Sequence, residues 1–255
     1  MATIGLTWLG QAGFLLETER CRLLIDPWLS PHRARLTEPT STEVVEAGID
    51  AVLVTHEHPD HLDLPFLARL AASSPEALLV LPEPIADQAQ NILRLSPVRP
   101  GDRVDVADLT VEVVPAWHAL TARDGISDGH GRFVGYLINA DGCVLYHAGD
   151  TLVTDALLAS LEGKAVEVAL LPVNGRDFFR EAEGVVGNLN VREAVELARR
   201  VGAHTLVPCH WDGFAGNTER PGRVVDEAVT GGDLHVLCLA RFRRFQLGAV
   251  SGVYE

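Results

Sequence analysis

The chain has 255 residues, with 35 Asp and Glu against 21 Lys and Arg, for a formal net charge of −14. Hydrophobic residues make up 47% and charged residues 22%, a globular composition that excludes a disordered chain. The negative field repels phosphates, so no nucleic-acid partner is expected. No apolar run reaches the ~18–20 residues of a transmembrane segment. The acidic excess is what a dispersed enzyme carries, and also what a site for divalent cations leaves in the formula. Met1–Trp8 has neither a basic start nor a long apolar stretch, so a cytoplasmic protein is expected. Cys21, Cys143, Cys209 and Cys238 lie far apart and form no C-x-x-C, which predicts free thiols.

In chain order, Ile4–Trp8, Gly13–Glu17 and Arg22–Ile25 read as an antiparallel meander. Ala51–Thr55 reads as a buried strand, Leu64–Ala72 as a helix, Leu78–Leu81 as a strand and Ile85–Leu93 as a helix. Val104–Val106 and Thr110–Ala116 are expected strands. Phe133–Asn139 and Cys143–His147 form a hairpin around Asp141-Gly142. Asp155–Leu161 is an expected helix and Val166–Pro172 a buried strand. Val191–Val201 is the clearest helix, with Asn190 as cap and Glu193 three residues on. Thr205–Pro208 is an expected strand, Val224–Val229 a helix, and Leu234–Leu239 and Phe242–Leu247 closing strands. This mixture predicts α/β architecture over a single domain, residues 1–255, with two sheets packed together and helices outside.

The most informative stretch is Thr55-His56-Glu57-His58-Pro59-Asp60-His61, directly after a strand. Imidazole nitrogens and carboxylate oxygens are ligands for Zn²⁺ and similar ions. His56 and His58 are two apart and can point the same way, while Asp60 and His61 can reach a second ion. Chance occurrence in a chain of this composition is roughly one in a thousand. Further ligands are expected at other strand ends. His118, Asp150 and His210 each follow an apolar strand, and Asp150 has two oxygens with which to bridge two ions.

This ordered set, His56-x-His58-x-Asp60-His61 followed by His118, Asp150 and His210, resembles the metallo-β-lactamase superfamily over essentially the whole chain. The resemblance implies a four-layer αβ/βα sandwich of two mixed β-sheets flanked by helices. It implies that His56, His58 and His118 hold one metal, that Asp60, His61 and His210 hold the other, and that Asp150 bridges them. Trp8-Leu9-Gly10-Gln11-Ala12-Gly13-Phe14, Ile25-Asp26-Pro27-Trp28-Leu29-Ser30 and Leu145-Tyr146-His147-Ala148-Gly149-Asp150-Thr151 are similar to the L-ascorbate-6-phosphate lactonase-like branch. That branch in turn resembles phosphodiesterases that cleave N-acyl phosphatidylethanolamine.

The expected function is that of a dinuclear metal-dependent hydrolase. It would use a metal-bound hydroxide on a small ester, lactone or phosphodiester, with two divalent ions, zinc or manganese, and Asp60 handling the proton. The alternative is an iron-dependent oxidoreductase of the same fold, such as a persulfide dioxygenase. Flavodiiron proteins fit less well, because they carry Glu where His58 stands and need an added flavin domain. The partner is a small-molecule substrate, and the sequence leaves homo-oligomerisation open. Asp26 is expected to order the loop near the site. His147 reads equally as a support for Asp150 or as an ordinary strand-end histidine, and Trp211 equally as pocket wall or loop packing. His32 and His130 are expected on exposed loops, His130 with an option at the site's mouth, and His204 and His235 in structural roles. The stretch from Asn174 to Asn190 is long for a connection, which predicts a functional loop. On it Arg176 is expected to reach an anionic group of the substrate, with pairing to a local carboxylate as the alternative, and Phe178 and Phe179 are expected to cover something.

Overall fold

The computed structural model describes residues 4–38, 48–118, 131–232 and 234–247. Its strands are β1 Ile4–Gly10, β2 Gly13–Glu17, β3 Arg22–Ile25, β4 Ala51–Leu53, β5 Leu78–Pro82, β6 Arg94–Val98, β7 Arg103–Val106, β8 Leu109–Pro115, β9 Val134–Ala140, β10 Cys143–His147, β11 Val166–Pro172, β12 Thr205–Cys209, β13 His235–Val236 and β14 Arg244–Leu247. The helices are α1 Leu64–Ser73, α2 Asp155–Leu161, α3 Phe178–Ala182, α4 Val191–Arg200 and α5 Gly222–Ala228, with a 3₁₀ segment at Glu83–Ala89.

Two seven-stranded sheets result, ordered β14-β1-β2-β3-β4-β5-β6 and β13-β12-β11-β10-β9-β8-β7. Each is antiparallel at one side and parallel at the other. In the first, β14 to β3 pair antiparallel and β3 to β6 parallel. In the second, β7 to β10 pair antiparallel and β10 to β13 parallel.

Period-2 alternation explains why so many strands are apolar throughout: both of their faces are buried. Phe14 and Leu16 of β2 enter the core between the sheets, together with Val111, Val113, Tyr136 and Ile138 of the other sheet. Leu15 of β2 points the other way, into a core with Phe66, Leu67 and Leu70 of α1. On the far side of the second sheet, Ala169 and Leu171 of β11 pack with Leu157, Val195 and Ala198. Three cores thus separate four layers, the αβ/βα sandwich of the metallo-β-lactamase fold. Among the described residues no helix is long and apolar enough to cross a membrane.

Several local expectations differ. Ile85–Leu93 is not an α-helix. Pro84 and a left-handed Asn91 (φ 65°) confine the segment to the 3₁₀ turn, and an unexpected edge strand, β6, follows. Pro97 lies in β6, which an edge position tolerates because one side needs no ladder donor. Leu234–Leu239 reduces to the two residues of β13. The Asn174–Asn190 connection contains the short helix α3, capped by Asp177, whose side chain accepts from Phe179 N and Arg180 N. Phe178 and Phe179 cover nothing among the described residues, being 76% and 79% exposed. His32 is half-buried, against Trp28 and Phe214. His130 lies outside the described residues. The four cysteines are free.

Candidate metal centre

The ligand-bearing segments all leave the same edge of the sandwich, beyond the carboxyl ends of β4, β8, β10 and β12. This is the end at which α/β sheets present their ligands. The sheets are tied together there. Tyr136 OH donates to Val54 O (2.6 Å) and Val134 N to Thr55 O (3.1 Å). His147 Nε2–H donates to Ala12 O (2.9 Å), and its Nδ1 accepts from Gly149 N (3.2 Å). Both ring nitrogens of His147 are thereby used. Burial lowers its pKa, so it is neutral and a clamp between the sheets.

The His56–His61 segment turns tightly, with His61 N and Leu62 N both donating to His58 O. Asp63 then caps α1 through Phe66 N (3.0 Å) and also accepts from Leu29 N, Ser30 N and Ser30 Oγ. Asp26, fully buried at φ 43°, accepts from Thr55 N (2.8 Å), Thr55 Oγ1 (2.7 Å) and His61 Nδ1 (2.7 Å). A left-handed aspartate is a strained conformer of the kind found at functional sites. Here it fixes the ring of His61 and turns Nε2 toward the site. Gly149 is obligatory beside it, because a Cβ there would meet Thr55 at 2.8 Å and the backbone has φ 59°.

Seven residues come together in this way. Ligand atoms of His56, His58 and His118 lie within 4.8 Å of one another, as do those of Asp60, His61 and His210, and those of His56, His61 and Asp150. His56 Nε2 is 2.8 Å from His58 Nδ1. Asp150 stands between the groups. Its Oδ1 is 3.4 Å from His61 Nε2, and its Oδ2 is 3.4 Å from His118 Nε2 and 3.2 Å from His210 Nε2. Asp60 Oδ2 is 3.3 Å from His210 Nε2.

Charge is divided unevenly across this cluster. Burial holds His56 well below its ordinary value, helped by His61 and His58. Burial likewise brings His118 down to about 4, Asp150 offsetting only part of it. At His61 burial opposes protonation, but Asp150, Asp26 and Asp60 outweigh it and raise the pKa to about 9. His210 is raised well above its ordinary value, as Asp150 and Asp60 overcome its burial. Both carboxyls are held well below the usual range by these imidazoles despite burial.

The residues fit a divalent cation. His61 Nε2 and Asp150 Oδ1 are buried, lack a hydrogen-bond partner and face each other, an arrangement that buried polar atoms rarely adopt without a ligand. Nitrogen and carboxylate donors of this kind suit zinc, and the oxygens also admit manganese.

One contributor escaped the sequence reading. Gln11, buried at φ 52°, donates from Nε2 to Asp60 Oδ2 (2.8 Å). Its backbone is fixed by Asp212 Oδ1, His210 N and Trp8 Nε1. Gly213 leaves room for its side chain, since a Cβ there would come within 2.2 Å of Gln11 Oε1. The signal available was a polar residue in an otherwise apolar turn, Leu9-Gly10-Gln11-Ala12.

The centre opens on a cleft of about 340 Å³. Its floor includes His58, Asp60, His118, Asp150 and His210. Its walls are Gly184–Val186, from the loop after α3, and Phe214, Ala215 and Asn217. Trp211 packs on Trp8, with ring centroids 4.9 Å apart, and donates to Pro208 O. Arg176 does not line the cleft. Its guanidinium makes two 2.7 Å hydrogen bonds to Glu193 and a third, at 3.2 Å, to Asn188 O. The local carboxylate has taken the arginine, so a direct reach to substrate does not follow from its position.

Residues 21–211 match the Beta-lactamase superfamily domain. A UPF0173 metal-dependent hydrolase from Pyrococcus furiosus is 30% identical over 233 residues, covering 88% of this chain and 93% of that protein. A second, from Thermococcus kodakarensis, is 33% identical over 226 residues, covering 86% and 91%. In structure the chain is similar to Igni18, a metallo hydrolase from Ignicoccus hospitalis KIN4/I. The TM-score is 0.77 at 22% identity, over 96% of this chain and 99% of that one. With this fold, this clustered ligand set and relatives of this identity along nearly its whole length, the chain belongs to the beta-lactamase superfamily, among its metal-dependent hydrolases.

Proposed function

We propose that the chain hydrolyses a small ester, lactone or phosphodiester with two divalent cations, zinc or manganese. The observation that carries this reading is the pair of ligand groups, His56/His58/His118 and Asp60/His61/His210, with Asp150 within 3.4 Å of His61, His118 and His210 beside a cleft. One ion would be held by His56, His58 and His118, the other by Asp60, His61 and His210, with Asp150 between them. Bound there, such ions would lower the pKa of a water toward ~7 and polarise the bond to be cleaved.

The chain's own residues do the rest. Asp60 lines the cleft and is oriented by Gln11. It takes the proton of the attacking water and returns it to the leaving oxygen. No side chain is needed as nucleophile. Cys209, adjoining His210, is buried in the inter-sheet core, and burial holds its thiol well above the ordinary value. Phe214 and Val185–Val186 exclude water from one side of the cleft. The lactonase-like motifs support a cyclic or simple ester among these substrates. Four free cysteines fit a reducing, cytoplasmic setting.

The test is elemental analysis of protein purified without added metal, followed by a panel of lactones, esters and phosphodiesters and an assay for sulfite. Two equivalents of zinc or manganese with hydrolysis of a panel member supports the reading. One equivalent of iron with sulfite formation replaces it with the dioxygenase.

A further inference from the structure

We propose that Asn217 binds substrate, donating from its side-chain amide to the carbonyl oxygen of a small, uncharged ester or lactone. The inference rests on the hydrolase reading and narrows its substrate class.

Asn217 lines the cleft together with His58, Asp60, Asp150 and His210. Its Oδ1 is taken twice, by Asn174 Nδ2 at 2.9 Å and by Arg180 Nη1 at 2.7 Å. A guanidinium only donates, so the oxygen must face Arg180, and the amide cannot be turned over. Nδ2 is thereby left on the opposite side with no partner among the described residues. Its orientation is held from behind. Arg180 is anchored by Asp177 Oδ2 (2.5 Å) and Asn174 O (2.9 Å). Asn174 accepts from Asn188 Nδ2 (3.1 Å), and Asn174 and Asn188 are both buried. A donor fixed before the substrate arrives costs no reorganisation as charge grows on an oxygen during hydrolysis.

The side chains around the rest of the cleft offer no cationic group to read an anionic substituent of the substrate. Among the described residues its lining contains no Lys or Arg, only imidazoles, carboxylates, one amide, Gly184 and the apolar Val185, Val186, Phe214 and Ala215. Arg176 and Arg180, on the segment that leads to Gly184–Val186, are committed to Glu193 and Asp177. Phe214 is stacked on Trp28 (5.0 Å), which Arg35 covers from 4.2 Å, so the apolar wall is rigid. A neutral acyl group with a short apolar chain matches these features.

The test uses metal-loaded full-length protein and, as probe, 1,1,1-trifluorohexan-2-one, a neutral ketone whose hydrate is a tetrahedral mimic of an ester under attack. Asn217→Asp is the decisive variant. It keeps an oxygen for Arg180 and Asn174, so it preserves the loop, but it replaces the cleft-facing donor with an acceptor. The expected result is a Kd for the probe at least ~30-fold weaker in Asn217→Asp and ~10-fold weaker in Asn217→Ala, at unchanged metal content. On phenyl butyrate, kcat falls ~100-fold with little change in KM. In wild type, titration with the probe shifts the Asn217 side-chain amide resonances, a measurement that needs no variant. Wild-type binding by Asn217→Asp, or amide resonances that stay in place at saturating probe, overturns the proposal. So does a wild-type protein that does not bind the probe. A shifted amide with no ester turnover supports the binding role of Asn217 while refuting the hydrolase reading.

Discussion

Replacing Arg176 by alanine separates two roles that the sequence leaves open, reading a substrate and holding a loop. The structure places a bidentate pair with Glu193 at 2.7 Å for both bonds, and the side chains are 33% and 30% exposed. A charge-assisted fork is at the strong end of ion pairs. Partial exposure discounts it, so about 1–1.5 kcal/mol is expected for the loss, including the bond to Asn188 O. For a chain of this size that lowers Tm by roughly 3–5 °C. Glu193 also accepts from Asn190 N in the capping box of α4, so Glu193→Ala should cost more than Arg176→Ala. The double mutant should recover ~1 kcal/mol of coupling. The sign with pH is defined. Burial opposes ionisation of Glu193, but the bonds from Arg176 and Asn190 outweigh it and lower its pKa from 4.5. A depressed carboxylate stabilises above its unfolded value and loses that contribution as pH falls through the folded value. The Tm difference between wild type and Arg176→Ala should therefore shrink between pH 6 and pH 3. Because the same loop carries Gly184–Val186 to the cleft, kcat/KM should fall by similar factors for anionic and neutral esters. Unchanged Tm with a loss confined to anionic substrates would refute the holding role and make Arg176 a substrate contact.

Asp150→Asn keeps the shape of the carboxylate proposed to bridge and removes its charge, so on that proposal both ions should be lost on dialysis, with activity down at least ~100-fold, as elemental analysis and turnover would show. Asp26→Asn leaves His61 Nδ1 without its anionic acceptor, and metal affinity measured by competition with a chelator should weaken ~10–100-fold. Chelation of the wild type should lower Tm, and re-addition of zinc or manganese should restore it, because buried His61 Nε2 and Asp150 Oδ1 have no hydrogen-bond partner among the described residues. Cys209→Ala should leave turnover within about twofold, and trapping of an acyl group on Cys209 would overturn the single-step chemistry.

The clustering of the candidate metal ligands was legible because each follows a strand whose apolar pattern is itself legible. His56, His58, Asp60 and His61 are also close in sequence, so their convergence needs only one loop. Asp26 was readable as an organiser of that loop because it follows β3, the neighbour of β4 in the sheet. Gln11 stood out only as a polar residue in an apolar turn, and its contact with Asp60 was not readable. Its target Asp60 is 49 residues away, and what aims it is a positive φ and the space left by Gly213, neither of which has a local pattern. Arg176 shows the same limit from the other side. The capping role of Glu193 follows from its spacing to Asn190, but a carboxylate has two oxygens. The second is claimed by an arginine 17 residues upstream, once the loop folds back over α4. β6 was hidden for a different reason: Pro97 and the polar alternation of Arg94 and Ser96 are signals against a central strand, and only the sheet order reveals an edge where they are tolerated. Asn217 combines these cases. Its partners Asn174 and Arg180 lie 43 and 37 residues before it, and an amide becomes a directed donor only when something else fixes its oxygen. Ligand identity is thus encoded locally, by residue type at strand ends. The orientation of the groups around them is encoded in long-range hydrogen bonds such as those of Gln11, Arg176 and Asn217.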